Sequence, residues 1–77
     1  MTKEPPISFL KRAHGAEIRV RLKNGNEIEG KLLVYDEMMN LVLQSAKEIN
    51  PETKEVLRNM GTLFIRGNNV LFITLEP

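Results

Sequence analysis

The sequence contains no cysteine, so neither a disulfide nor a thiolate metal site can reinforce the fold. Its single histidine, His14, has no second imidazole at metal-ligand spacing, which removes zinc from consideration. No apolar run exceeds five residues, far short of the roughly 20 that a helix needs to cross a bilayer. The opening MTKEPP lacks the charged-then-apolar layout of a secretory leader. Charge of one sign is missing too: eleven Lys and Arg stand against ten Asp and Glu. A polyanion partner would need positive charge concentrated by position rather than by total. These absences predict a cytoplasmic protein with no membrane segment, no metal and no cofactor.

Catalytic constellations are absent as well. There is no Ser-His-Asp ordering and no Gly-rich phosphate loop, and Glu27, Glu29 and Asp36 read as hairpin and loop charges. The expectation is no enzyme and no small-molecule substrate. At 77 residues the chain is one domain whose own core gives only marginal stability. With disulfides and metals excluded, regular packing or oligomerisation must supply the rest.

The stretch Leu63 to Leu75 favours oligomerisation. Two apolar runs flank Arg66-Gly67-Asn68-Asn69, which reads as strand, tight turn, strand. In the second run Val70, Phe72 and Thr74 point one way, and Leu71, Ile73 and Leu75 the other. A strand apolar on both faces needs cover on both, and a neighbouring subunit is the simplest cover.

Upstream, Pro5-Pro6 and the run to Gly15 predict a short helix over 5–15. Pro6 suits its first position and Gly15 its stop, and Ile7, Leu10 and His14 share a face. His14 reads as a half-buried or capping residue, or less simply as a ligand. From Ala16 the period changes to two, with Ile18, Val20 and Leu22 inward and Glu17, Arg19, Arg21 and Lys23 outward. A two-residue Asn-Gly turn would set Leu22 opposite Glu27 and mix the faces. A three-residue loop, Asn24-Gly25-Asn26 with Asn26 left-handed, pairs Leu22 with Ile28, Arg21 with Glu29 and Lys23 with Glu27. Further strands are expected over 27–35, with a bend or bulge at Gly30, over 41–49, and over 54–66 with an irregularity at Gly61. Asn50-Pro51-Glu52-Thr53 reads as a turn. The fold class is mainly β: a short N-terminal helix, then five strands in a meander forming a small, strongly bent antiparallel barrel.

Leu22-Lys23-Asn24-Gly25, Gly30 and Asp36-x-x-Met39-Asn40-Leu41-Val42-Leu43 together resemble the first motif of Sm and Sm-like (LSm) proteins. Ile65-Arg66-Gly67-Asn68-Asn69-Val70 resembles the second, and the short Asn-Pro loop between them is similar to the compact archaeal branch. On this resemblance residues 1–4 form a loose N-terminus, 5–15 the helix, 16–49 the first motif, 50–54 a loop and 55–77 the second motif. The resemblance implies an SH3-like (Sm) barrel assembled into a ring, most often of seven identical subunits, with the last strand of one pairing with the fourth strand of the next. Leu63, Ile65, Val70, Leu71, Phe72 and Ile73 would then form the oligomer interface. It also implies single-stranded, uridine-rich RNA as the partner, held at the inner rim of the pore in RNA processing or chaperoning.

The positions matching the family's RNA site are Asp36, Met38, Asn40, Arg66, Gly67 and Asn68. Asn40 offers an amide acceptor and donor that complement uracil, and Asp36 is the nearest group able to hold that amide in one orientation. Asn40 also reads simply as a loop-ending residue. Arg66 can stack on a base or pair with phosphate, or serve as a solvated turn residue. Gly67 allows a sharp turn and close ligand approach. Two positions depart from the family pattern. Met38 stands in place of a histidine or aromatic, and Asn68 in place of aspartate, so the expected site is weaker and less uridine-specific. Two other readings remain at the level of sequence: a ring-forming scaffold that has lost RNA binding, and a monomeric SH3-like adaptor.

Overall fold

The computed structural model describes residues 6–75. The loose segment expected over 1–4, Pro5 and the last two residues of the second motif lie outside them. Helix α1 (Pro6–Ala13) carries Lys11 and Arg12 in its last turn, where the helix dipole favours cations. It buries Leu10 and Ala13 rather than the expected Ile7–Leu10–His14 face, and Ile7 stays exposed. Full burial of a leucine such as Leu10 contributes about 1.5–3 kcal/mol. His14 is exposed rather than half-buried or capping: its Nε2–H donates to the Leu33 carbonyl of the second strand at 2.9 Å, and its ring meets Tyr35 edge-on at 5.7 Å.

Five antiparallel strands follow: β1 (Glu17–Leu22), β2 (Glu27–Tyr35), β3 (Leu41–Ile49), β4 (Val56–Ile65) and β5 (Val70–Leu75). Their order in the one sheet is β4-β3-β2-β1-β5, so the meander holds for four strands and then breaks. β5 pairs with β1, through Ile18–Leu75, Val20–Ile73 and Arg21–Phe72, and not with β4. The outermost strands are nevertheless joined by four residues, Arg66 to Asn69. In a flat sheet they would lie roughly 19 Å apart, four strand spacings, so the sheet must curl. The bends sit where the ladders slip. β2 slips between Glu29 and Lys31, where a Cβ on Gly30 would come within 3.1 Å of the Leu43 Cβ. β3 and β4 slip around the pair Ala46–Gly61, beside left-handed Ser45 (φ 54°) and Gly61 (φ 68°).

Curling encloses one core of Leu10, Ala13, Ile18, Val20, Ile28, Leu32, Leu41, Leu43, Ala46 and Ile65, with Val70, Ile73 and Leu75 packed against it. In β5 a slip opposite Arg21 and Leu22 brings Val70 onto the same side as Ile73 and Leu75. Strict alternation would place Val70 with Phe72 instead.

The β1–β2 hairpin differs from its expected register. Arg21 pairs with Glu27, Val20 with Ile28 and Arg19 with Glu29, two residues away from the expected partners. The loop does have three residues, but they are Lys23-Asn24-Gly25, closed by Leu22 N–H to the Asn26 carbonyl at 2.8 Å. Gly25 (φ 94°) takes the left-handed position assigned to Asn26, because glycine adopts it without a Cβ clash. A shift of two residues leaves every side chain on its own face, so the hydrophobic pattern could not distinguish the two registers.

This register also gives Glu27 a role beyond a hairpin charge. It is the one buried charged side chain among the described residues, 3% exposed, and bonds Arg21 at 2.9 Å and Lys54 at 3.1 Å. Burial pushes its carboxyl pKa up, but the hydrogen bonds and charges of Arg21 and Lys54 outweigh this and hold it below its ordinary 4.5. The Arg21 guanidinium also lies 5.4 Å over the Phe72 ring, linking β5 to β1 and β2.

Candidate functional site

The β2–β3 loop, residues 36–40, is built around Asp36. Its Oδ1 accepts from the backbone N–H of Met38 at 2.9 Å and of Asn40 at 3.0 Å, and its Oδ2 accepts from Asn40 Nδ2 at 2.9 Å. Hydrogen bonds from the Asn40 side chain and then the Asn40 backbone hold the Asp36 carboxyl below its ordinary 3.8. Asp36 is therefore an acceptor only. Met39 adopts φ 62°, and this kink sends its side chain onto the core while Met38, one residue earlier, stands 76% exposed.

The second half of the site is the β4–β5 connection. Gly67–Asn69 forms a single 3-10 turn, with Asn69 N–H on the Arg66 carbonyl at 3.0 Å. Gly67 N–H donates to Asn40 Oδ1 at 2.7 Å, and Lys23 N–H donates to the Asn69 carbonyl at 2.8 Å. Three loops thus meet at one place. The need for glycine at position 67 differs from the expected one: its φ lies outside the left-handed region, but a Cβ there would collide with the Met38 carbonyl oxygen. Close approach by the protein's own backbone selects the residue.

Asn40 is consequently fixed from both ends. A carboxylate can only accept, so the amide nitrogen must face Asp36. A backbone N–H can only donate, so the amide oxygen must face Gly67. One lone pair on Oδ1 and one hydrogen on Nδ2 remain. That leaves an acceptor beside a donor, in the orientation that suits the N3–H and a carbonyl of uracil. The Asp36 role anticipated from sequence is present, whereas the Gly67 clamp carries no sequence signal beyond the glycine itself. The Arg66 side chain is exposed and makes no hydrogen bond or ion pair with any described residue, and Asn68 is exposed beside it. The structure brings Asp36, Met38, Asn40, Arg66, Gly67 and Asn68 into one cluster of two adjoining loops.

The residues expected to face a neighbour divide differently. Ile65 is a core residue, 5% exposed, and its side chain is not open to another subunit. Leu63, Val70 and Ile73 are half-buried against the same core. Only Leu71 and Phe72 of the six are exposed, and Val56, Leu57 and Phe64 on β4 join them. Those three carry little sequence signal, because the apolar pattern through Leu63 and Ile65 suggests a β4 whose apolar residues face inward. A groove of about 210 Å³ is lined in part by Leu22, Ile28, Met60, Leu63, Phe64 and Arg66, so residues of β1, β2 and β4 share it.

Residues 8–75 match the LSM domain. An Sm-like protein of Archaeoglobus fulgidus is 43% identical over 72 residues, covering 94% of this chain and 91% of that protein. Among solved structures, a Pyrococcus abyssii Sm protein in complex with a uridine heptamer matches at TM-score 0.86 and 37% identity, covering 95% of this chain and 100% of that one. A heptameric archaeal Sm protein matches at TM-score 0.82 and 37% identity, covering 91% of this chain and 98% of that one. Sequence and overall fold agree, and the chain belongs to the Sm-like (LSm) family.

Proposed function

We propose that this chain closes into a ring, most simply of seven copies, and holds single-stranded uridine-rich RNA on its Asp36–Asn40–Arg66 cluster, serving RNA processing or chaperoning. The observation that carries the reading is the Asn40 amide, clamped between an obligate acceptor and an obligate donor beside the exposed Arg66 side chain. Ring closure is supported by the sheet itself. β4 and β5 are its two edges, and both carry exposed apolar side chains. An unprotected edge invites pairing with another chain, and identical head-to-tail contacts either close or run on as a filament. The uridine heptamer bound by one related protein and the heptameric assembly of another support this ligand class and subunit number.

Around a ring, one Arg66 per copy becomes a circle of fixed cations. A protomer of net charge +1 can thereby present a concentrated basic surface. Met38 lowers the grip on each base, since a thioether supplies less than a stacked aromatic. The loss of uridine specificity expected with it is limited by the amide held between Asp36 and Gly67, which keeps a preference for uracil. Modest seats still sum to tight binding when one strand fills several.

The test is a titration of oligo-U, oligo-C and oligo-A at fixed salt against wild type and Asn40→Ala. Wild type should prefer oligo-U, and the variant should lose about 1 kcal/mol per occupied seat, mostly as base preference. Equal binding of all three by wild type would refute the reading. A ring-forming scaffold without RNA is the second reading, favoured by one observation: both ends of the Asn40 amide already have protein partners.

A further inference from the structure

We propose that Met38 is a reversible oxidation site through which a peroxide loosens the protein's hold on RNA, an inference that rests on the function just described. The described residues include three methionines in two settings. Met39 and Met60 are partly buried and packed against the core, whereas Met38 is 76% exposed. Sulfoxidation follows access to the sulfur, so among the described residues Met38 is the thioether a peroxide reaches first. With no cysteine in the sequence, no thiol competes for the oxidant.

Position makes the modification consequential. The Met38 backbone is fixed by its N–H on Asp36 Oδ1 at 2.9 Å and by the close approach of its carbonyl to Gly67. Its side chain therefore cannot retreat into the core, where Met39 already sits, and stays exposed on the loop that carries Asn40. In the reaction the sulfur lone pair attacks one peroxide oxygen and the O–O bond breaks. The thioether leaves as sulfoxide and the peroxide as water, a two-electron oxidation of sulfur matched by reduction of the peroxide. The product places a polar oxygen, negative at its outer end, where the thioether had offered a soft surface to the base ring. Without that soft surface, binding weakens by roughly two- to tenfold per occupied seat. Met38 lies outside the core cluster and contributes only backbone to the loop, so the fold survives the change.

The experiment treats the intact protein with limiting hydrogen peroxide, maps oxidised peptides by mass, and measures fluorescent oligo-U binding at fixed salt. Wild type should gain one oxygen at Met38 before Met39 or Met60 and lose affinity in step. Methionine sulfoxide reductase supplied with a dithiol, which is oxidised to a disulfide as the sulfoxide oxygen leaves as water, should restore that affinity. Met38→Leu, whatever its own starting affinity, should show no change on treatment. Faster oxidation of Met39 or Met60, unchanged oligo-U affinity of protein oxidised at Met38, or an equal loss in Met38→Leu would each overturn the proposal. Untreated protein that fails to bind oligo-U overturns the RNA reading along with it, whereas normal binding that peroxide leaves untouched overturns the oxidation site alone.

Discussion

Gly67→Ala is the substitution with the sharpest expected consequence. A methyl group there has nowhere to go, because it meets backbone: the Met38 carbonyl oxygen and carbon and the Met39 carbonyl carbon, the last at 3.0 Å. Backbone cannot rotate aside as a side-chain tip can, so the 36–40 loop and the 66–69 turn must separate. Separation breaks the part-buried Gly67 N–H to Asn40 Oδ1 bond of 2.7 Å, which costs about 1 kcal/mol. Strain from forcing a methyl into a filled space adds about 1–3 kcal/mol. The sum, about 2–4 kcal/mol, is a large share of the 5 kcal/mol or so that holds a domain this small. Gly25→Ala is the comparison: its Cβ meets open space, and the left-handed backbone (φ 94°) alone costs about 1–2 kcal/mol. Thermal melts at equal protein concentration should place Gly67→Ala below wild type by on the order of 10–30 °C, and below Gly25→Ala. Oligo-U binding should fall in Gly67→Ala and persist in Gly25→Ala. A Gly67→Ala protein that melts with or above Gly25→Ala and binds oligo-U normally would show that the two loops do not touch as described.

Glu27→Gln removes the charge at the centre of the Arg21 and Lys54 pairs and should cost about 2–3 kcal/mol, a value below that of a fully buried pair because Lys54 is 45% exposed. The Glu27 pKa is lower in the folded than in the unfolded chain, so its contribution is present above about pH 4.5 and is lost as pH falls through the folded value. Urea titrations of wild type and Glu27→Gln should therefore converge in acid. Arg66→Ala should lower the slope of log affinity for oligo-U against log salt, by about 0.7 for each phosphate that is no longer neutralised. An unchanged slope would remove Arg66 from the site. Met38→Phe should tighten oligo-U binding by up to about 1–2 kcal/mol per seat, the difference between aromatic stacking and a thioether against the base; weaker binding would mean that position 38 does not face the base.

Strand positions are legible in the sequence because apolar residues recur at period two: β2, β3 and β5 fall where Glu27–Tyr35, Leu41–Ile49 and Val70–Leu75 place them. Pairing is legible only in part. The β1–β2 register is degenerate by two residues on hydrophobic grounds, and the left-handed preference of Gly25 over Asn26 decides it. The meander fails at its last link, since local sequence around 66–69 does not say that β5 returns to β1; that follows from the curl imposed at Gly30, Ser45 and Gly61. At the site, Asp36 and Asn40 can be read as partners because they lie four residues apart in one loop. The Gly67 clamp joins positions 27 apart, and nothing local announces it. The weight of Glu27 is hidden for the same reason, because its second partner, Lys54, is equally distant in sequence.

A native mass spectrum of the purified protein mixed with oligo-U tests the account most directly, since it reads subunit number and bound RNA together. The account predicts one closed-ring mass, most simply seven chains, carrying a strand of oligo-U that Arg66→Ala holds more weakly. A single-chain mass without RNA, at micromolar protein, would contradict it.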